Sequence, residues 1–201
     1  MRVRIPVLIA LASLALVPAT SRAQHGSGAA PARTTRPPRE ATQFDFLIGQ
    51  WELRVTPKVS GLVARLHGVP VLRGSWRAWR TLDGWGVEDQ LRIVDESGNP
   101  QSLTGFVRLY DPASRQWLVT AADAYRQTMT QSRARWTGSE MVSTSEGRDA
   151  DGAAYLTRTR IMRITPDGFR LQQDRSTDGG KSWDEARLVI EARRTAPVAP
   201  R

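Results

Sequence analysis

Cysteine is missing from all 201 residues, and with it go disulfides, thiolate nucleophiles and thiolate metal ligands. Histidine is scarce: the chain has 2, His25 and His67. Histidine-ligated zinc needs more partners than that, and a hydrolytic triad needs a histidine beside its nucleophile. No metal and no cofactor is expected. Lysine is confined to Lys58 and Lys181, so arginine carries almost all of the positive charge. Beyond the N-terminal segment no apolar run is long enough to span a bilayer. No stretch sustains a helical period, apart from a turn around Leu62 to Leu66.

The N-terminal segment reads as a leader. Arg2 and Arg4 precede an apolar run over 5–17, and Ser21-Arg22-Ala23 places small residues at both positions that signal peptidase reads. The pattern predicts a secretory signal peptide over 1–23, cut after Ala23, and an exported protein, periplasmic or secreted. Arg2, Arg4 and Arg22 belong to the leader, which lowers the formal charge from +9 to +6. Residues 24–43 are rich in Gly, Ala, Pro, Thr and Arg without a large apolar side chain, and read as a disordered tether. Residues 195–201 form a similar flexible tail. The patterned domain, 44–194, keeps about +4 on scattered arginines. That scatter, with the export signal, argues against a nucleic-acid partner.

Within the domain, short alternating runs are separated by turn residues. Strands are predicted over 51–56, 71–82, 85–95, 102–110, 116–125, 128–136, 140–145, 154–164, 169–176 and 183–193. In the third run Trp85, Val87, Leu91 and Ile93 share one parity, and Glu88, Gln90 and Arg92 the other. Asp83-Gly84, Asp111-Pro112, Pro166-Asp167-Gly168 and Asp178-Gly179-Gly180 punctuate the series. About ten strands with short connections and no crossover helices predict an all-β, antiparallel up-and-down barrel. Closure removes exposed edges and leaves room for side chains or one small ligand.

FDFLIGQWEL opens the domain at 44–53. Gly49-x-Trp51 at the head of the first strand resembles the signature of lipocalins and related calycin barrels. A tryptophan there can plug one barrel end, with Phe44 and Phe46 flanking it, while the glycine lets the backbone pass close beneath. FDFLIGQWEL, TGFVRLYDPASRQWLV with its Asp111-Pro112 turn, RIMRI and DRSTDGGKSWDEARLVIEARR follow in order. Together they resemble an uncharacterised secreted bacterial family, domain of unknown function 1579, itself similar to lipocalin- or nitrobindin-like barrels. The resemblance implies a fold and no activity. A nitrobindin-like haem site would need a histidine on a late strand, and 154–194 contains none. Ser176 to Trp183 also fits the Asp-box pattern of sialidases. A single copy reads as a hairpin clasp, in which Asp178 accepts backbone hydrogen bonds, Gly180 supplies positive φ and Trp183 packs the base.

Glu88-Asp89, Asp95-Glu96 and Asp184-Glu185 are adjacent acids, so each pair splits across two strand faces and reads as solvated or turn residues. Arg133 and Arg135 read as exterior. Arg158 and Arg160 share parity with Leu156 and Met162, and Arg108 with Phe106 and Tyr110, which raises inward-pointing arginines that would need acceptors such as Asp89, Asp123 or a carboxylate ligand. The expected function is binding of a small apolar or amphipathic molecule in the lumen, walled by Trp76, Trp117, Tyr125 and Trp136, with Arg108, Arg158 or Arg160 orienting a polar end. The alternative is a packed barrel that presents a basic surface to anionic envelope material without a small ligand. No residue constellation nominates an enzyme.

Overall fold

The computed structural model describes residues 36–59 and 61–196. The predicted leader, the tether as far as Thr35 and residues 197–201 lie outside the described residues.

Ten antiparallel strands form the domain: β1 (Gly49–Pro57), β2 (Leu72–Thr81), β3 (Gly86–Val94), β4 (Pro100–Asp111), β5 (Gln116–Asp123), β6 (Thr128–Trp136), β7 (Met141–Arg148), β8 (Ala154–Met162), β9 (Gly168–Ser176) and β10 (Asp184–Ala196). Each pairs with its neighbours in sequence. β10 returns to β1, with Trp51 opposite Arg194 and Val55 opposite Ile190, so the sheet is a closed up-and-down barrel. A helix, α1 (Gly61–His67), lies in the β1–β2 connection. Among the described residues no helix is long and apolar enough to cross a membrane.

The alternation of apolar and polar residues selects the inner face. Trp51, Leu53 and Val55 of β1, Trp76 and Ala78 of β2, and Val87, Leu91 and Ile93 of β3 are all buried, while their neighbours of the opposite parity face out. Burying these side chains supplies about 1.5–3 kcal/mol each, which is how a domain without disulfides orders ten strands.

One barrel end is plugged by a 3-10 helix over Arg39–Leu47. Ala41, Phe44 and Leu47 are its buried residues. Their spacing of three matches three residues per turn and puts them on one face. The helix takes in Arg39 to Gln43, which were expected to belong to the tether over 24–43, because an apolar stripe of period three escapes a search for periods of 3.6 and 2. At the other end β10 continues to Ala196, so the expected tail over 195–201 overlaps the last strand by two residues.

Aromatic rings fill the plugged end. Phe44 meets Trp117 edge-to-face at 4.8 Å, and Trp51 meets Phe169 in the same way at 4.8 Å. Trp51 donates from Nε1 to the Leu47 carbonyl at 2.7 Å, and Trp117 to Gln43 Oε1 at 3.0 Å. Arg194, from β10, lays its guanidinium over Trp51 at 3.9 Å. It also donates to the carbonyls of Ile48 (2.8 Å), Phe46 (3.1 Å) and Pro166 (2.6 Å). Gly49 sits between plug and strand at φ 126°, a conformation that side-chain-bearing residues rarely adopt.

Candidate functional site

Two arginine–aspartate clusters stand apart from the ordinary surface, one inside the barrel and one outside. The inner cluster follows from strand parity. Asp89 shares the inward parity of Val87 and Leu91 on β3, and Arg108 that of Phe106 on β4; Trp76 comes from the other flank on β2. Asp89 is 2% exposed and Arg108 6%. Arg108 Nε donates to Asp89 Oδ2 at 2.7 Å and Nη2 to Oδ1 at 2.9 Å, a two-pronged pair, and Trp76 Nε1 donates to Oδ1 at 2.7 Å. The Arg108 guanidinium lies between Phe106 and Phe44, at 4.7 and 5.0 Å from their ring centres.

Burial pushes the Asp89 carboxyl above its ordinary value, against the charge of Arg108 and the hydrogen bonds from Arg108 and Trp76. Both its oxygens face N–H donors, so the geometry is that of a carboxylate. The expectation that Glu88-Asp89 is solvated is corrected here. Asp89 is the acceptor that an inward arginine was expected to need.

Arg108 and Trp76 of this cluster line a cavity of about 200 Å³ in the barrel interior, partly open to solvent, with Asp89 behind them. Its apolar lining comes from Phe44, Trp76, Leu91, Phe106, Met141, Ile161, Leu171 and Ile190. The opposite wall is polar: Thr130 and Ser132 of β6, Ser143 and Ser145 of β7, Thr159 of β8 and Gln173 of β9. Sequence reading missed these hydroxyl residues, because serine and threonine on alternating positions look the same on a wet exterior and on a polar lumen. A groove of about 500 Å³ beside the β7–β8 hairpin is larger, but it is open to solvent and lined by Glu146, Arg148, Tyr155 and Leu156 among others.

Of the seven residues expected in the lumen, Trp76 and Arg108 line the cavity. Trp117 is buried in the plug against Phe44, and Trp136 packs beneath Phe46 at 6.4 Å. Tyr125 is 46% exposed in the β5–β6 turn, because β5 ends at Asp123 and the chain has left the barrel wall.

Arg158 and Arg160 also fall outside the lumen. Thr159 and Ile161 line the cavity, so alternation sends Arg158 and Arg160 to the outer face of β8. They meet Asp174, opposite Arg158 on β9 and 0% exposed. Arg158 Nη2 lies 2.9 Å and Arg160 Nη2 3.3 Å from Asp174 Oδ2. Gln172 and the Ala186 backbone N–H donate to Oδ1 at 2.7 and 3.0 Å. Burial alone would raise this carboxyl; the hydrogen bonds from Gln172, Ala186 and Arg158 and the charge of Arg160 outweigh it and hold it below the usual carboxylate range.

The β9–β10 loop covers this outer cluster. Trp183 lies on Arg158 at 4.3 Å. Asp178 accepts from Ser182 N (3.0 Å), Ser182 Oγ (2.6 Å) and Ser176 Oγ (2.7 Å), and Gly180 has φ 91°. The hydrogen bonds from Ser182 and Ser176 hold the Asp178 carboxyl far below its ordinary value. Asp111 plays the same part in the β4–β5 turn, accepting from Ala113 N at 3.0 Å and Ser114 Oγ at 2.6 Å, with Pro112 between. Among the described residues no group of three or more His, Cys, Asp or Glu is placed to hold a metal ion.

The chain matches no protein-family model and no curated protein. Among solved structures it is similar to EF1p2_mFAP2b bound to DFHBI, with a TM-score of 0.39 and 10% sequence identity over 77% of this chain and 98% of that one. A likeness at that level carries no argument about a ligand; the barrel here rests on its own strand pairing.

Proposed function

We propose that this barrel is a non-covalent binder of a small, mostly apolar molecule held in its lumen. The carrying observation is the interior cavity of about 200 Å³ whose otherwise aromatic and aliphatic end is lined by Arg108, itself paired with the buried Asp89 behind the wall. A fixed polar group in an apolar cavity is how small-molecule sites combine affinity with orientation. The volume sets the size. At the packing density of protein interiors it takes on the order of ten to twelve non-hydrogen atoms, so a long-chain lipid does not fit without rearrangement.

The proposal includes export, supported by Arg2, Arg4, the apolar run and Ser21-Arg22-Ala23, and membership of domain of unknown function 1579, supported by the order of its motifs. Native mass spectrometry of the protein purified from its own source tests the binding role. A retained compact small molecule is the expected result, and a clean apo mass at every preparation overturns it.

A second reading has its own observation. On the outer face the ladder places Thr144 between Arg133 and Arg158, and Val142 between Arg135 and Arg160. Arg133 and Arg135 thus extend the patch in which Arg158 and Arg160 share Asp174, leaving a net positive face suited to anionic envelope material. Under this reading, association with anionic vesicles weakens with salt and falls in R133Q/R135Q, while the charge-matched R73Q/R92Q on another face leaves it unchanged.

A further inference from the structure

The lumen is specific about charge as well as size. Arg108 spends Nε and Nη2 on Asp89, and its Nη1 makes no hydrogen bond to any described residue. The guanidinium is nonetheless part of the cavity wall. Nη1 is not among the buried unpartnered atoms, so its two N–H donors are open to whatever fills the cavity, and a ligand that covers them without offering an acceptor is penalised. The positive charge itself is already matched by Asp89. A ligand carboxylate would be a second anion facing one cation, with no other basic group on the cavity wall, and burying an unbalanced charge is heavily penalised. The donors thus want a neutral acceptor.

The rest of the wall completes the picture. Phe44, Phe106 and Trp76 surround the arginine and favour a flat ring, while Ser132, Ser143 and Thr159 on the facing strands offer hydroxyls to a second polar group.

Resting on the lumen-binding reading above, we infer that the ligand class is a compact, uncharged aromatic carbonyl compound of one or two rings. Its carbonyl oxygen accepts from Arg108 Nη1, and a hydroxyl or similar group at the other end meets the serine and threonine wall.

Four probes of similar size test this by quenching of tryptophan fluorescence and by calorimetry near neutral pH: tetralin, tetralone, hydroxytetralone and naphthoate. Tetralone is expected to bind about tenfold or more tighter than tetralin, the gain for one hydrogen bond to a charged donor. Hydroxytetralone should bind tighter still, and naphthoate weaker than tetralone. In D89N/R108M, which removes both charges and keeps an acceptor for Trp76, tetralone and tetralin should converge to within about twofold. Equal binding of tetralone and tetralin to the native protein overturns the carbonyl assignment and leaves lumen binding standing. Tightest binding of naphthoate overturns the neutrality argument. Failure of all four to bind overturns both this inference and the lumen reading. The comparison on the native protein decides the matter even if the double variant does not fold.

Discussion

At the scale of single residues, polar groups decide what the apolar pattern leaves open. Arg194 joins the last strand to the plug through Trp51 and three backbone carbonyls. Its replacement by alanine strands those acceptors and should cost about 2–3 kcal/mol in urea unfolding, with lysine recovering less than half, because an ammonium cannot reproduce the planar fork. Asp174 gives a pH-dependent counterpart. Its folded-state pKa lies below the unfolded value, so its contribution is present above about pH 4 and is lost as pH falls through the folded value. D174N should therefore be about 2–3 kcal/mol less stable than the native protein at pH 7, and the gap should narrow on acidification; a gap that widens below pH 4 would contradict the sign. Asp89 is shifted the other way and opposes acid loss. Parity made Arg108 legible in the sequence, and the need of a buried arginine for an acceptor pointed to Asp89. The same parity misled for Arg158 and Arg160, because Leu156 and Met162 looked like a buried face and are instead half-buried residues of the outer one. The cover over that face is the β9–β10 loop, and a loop's resting place is a tertiary fact that alternation does not carry.

At the scale of elements, the strands were legible nearly throughout, since each is bounded by a turn with its own chemistry; the run over 128–136 coincides with β6. The 3-10 plug was legible only in part. FDFLIGQWEL announced Trp51 and its flanking rings, but Ala41 and Leu47 complete a stripe of period three that begins inside a Pro- and Arg-rich segment. The stripe makes a prediction. Phe44 is 1% exposed and touches both Trp117 and the Arg108 guanidinium. F44A should cost about 3–5 kcal/mol and leave a cavity that opens through the plugged end. The check is thermal or urea unfolding together with dye access to the lumen. Loss of stability without a change in access would show that the plug is only packing. At Gly49 a G49A substitution should destabilise by roughly 1 kcal/mol through backbone strain, since φ 126° disfavours any β-carbon.

For the whole molecule, ten short strands must either close or leave two edges exposed, and closure through β1 and β10 follows from the same alternation that names the core. The size and polarity of the lumen were not legible. They depend on which side chains meet across the barrel, and the serine and threonine wall emerges only when β6 to β9 are brought into register. The central claim, that this interior receives a small molecule beside the Arg108–Asp89 pair, has a direct readout in the tryptophans. Trp76 donates its indole N–H to Asp89 at the cavity wall, whereas Trp79 is exposed and Trp183 sits under the outer loop. The decisive measurement is a titration of the nitrogen-15-labelled protein with tetralone, followed by the indole N–H resonances. The account predicts a saturable shift of Trp76 with Trp79 and Trp183 unmoved. Shifts confined to Trp79 or Trp183, or a Trp76 resonance that stays in place up to the solubility limit, would contradict it.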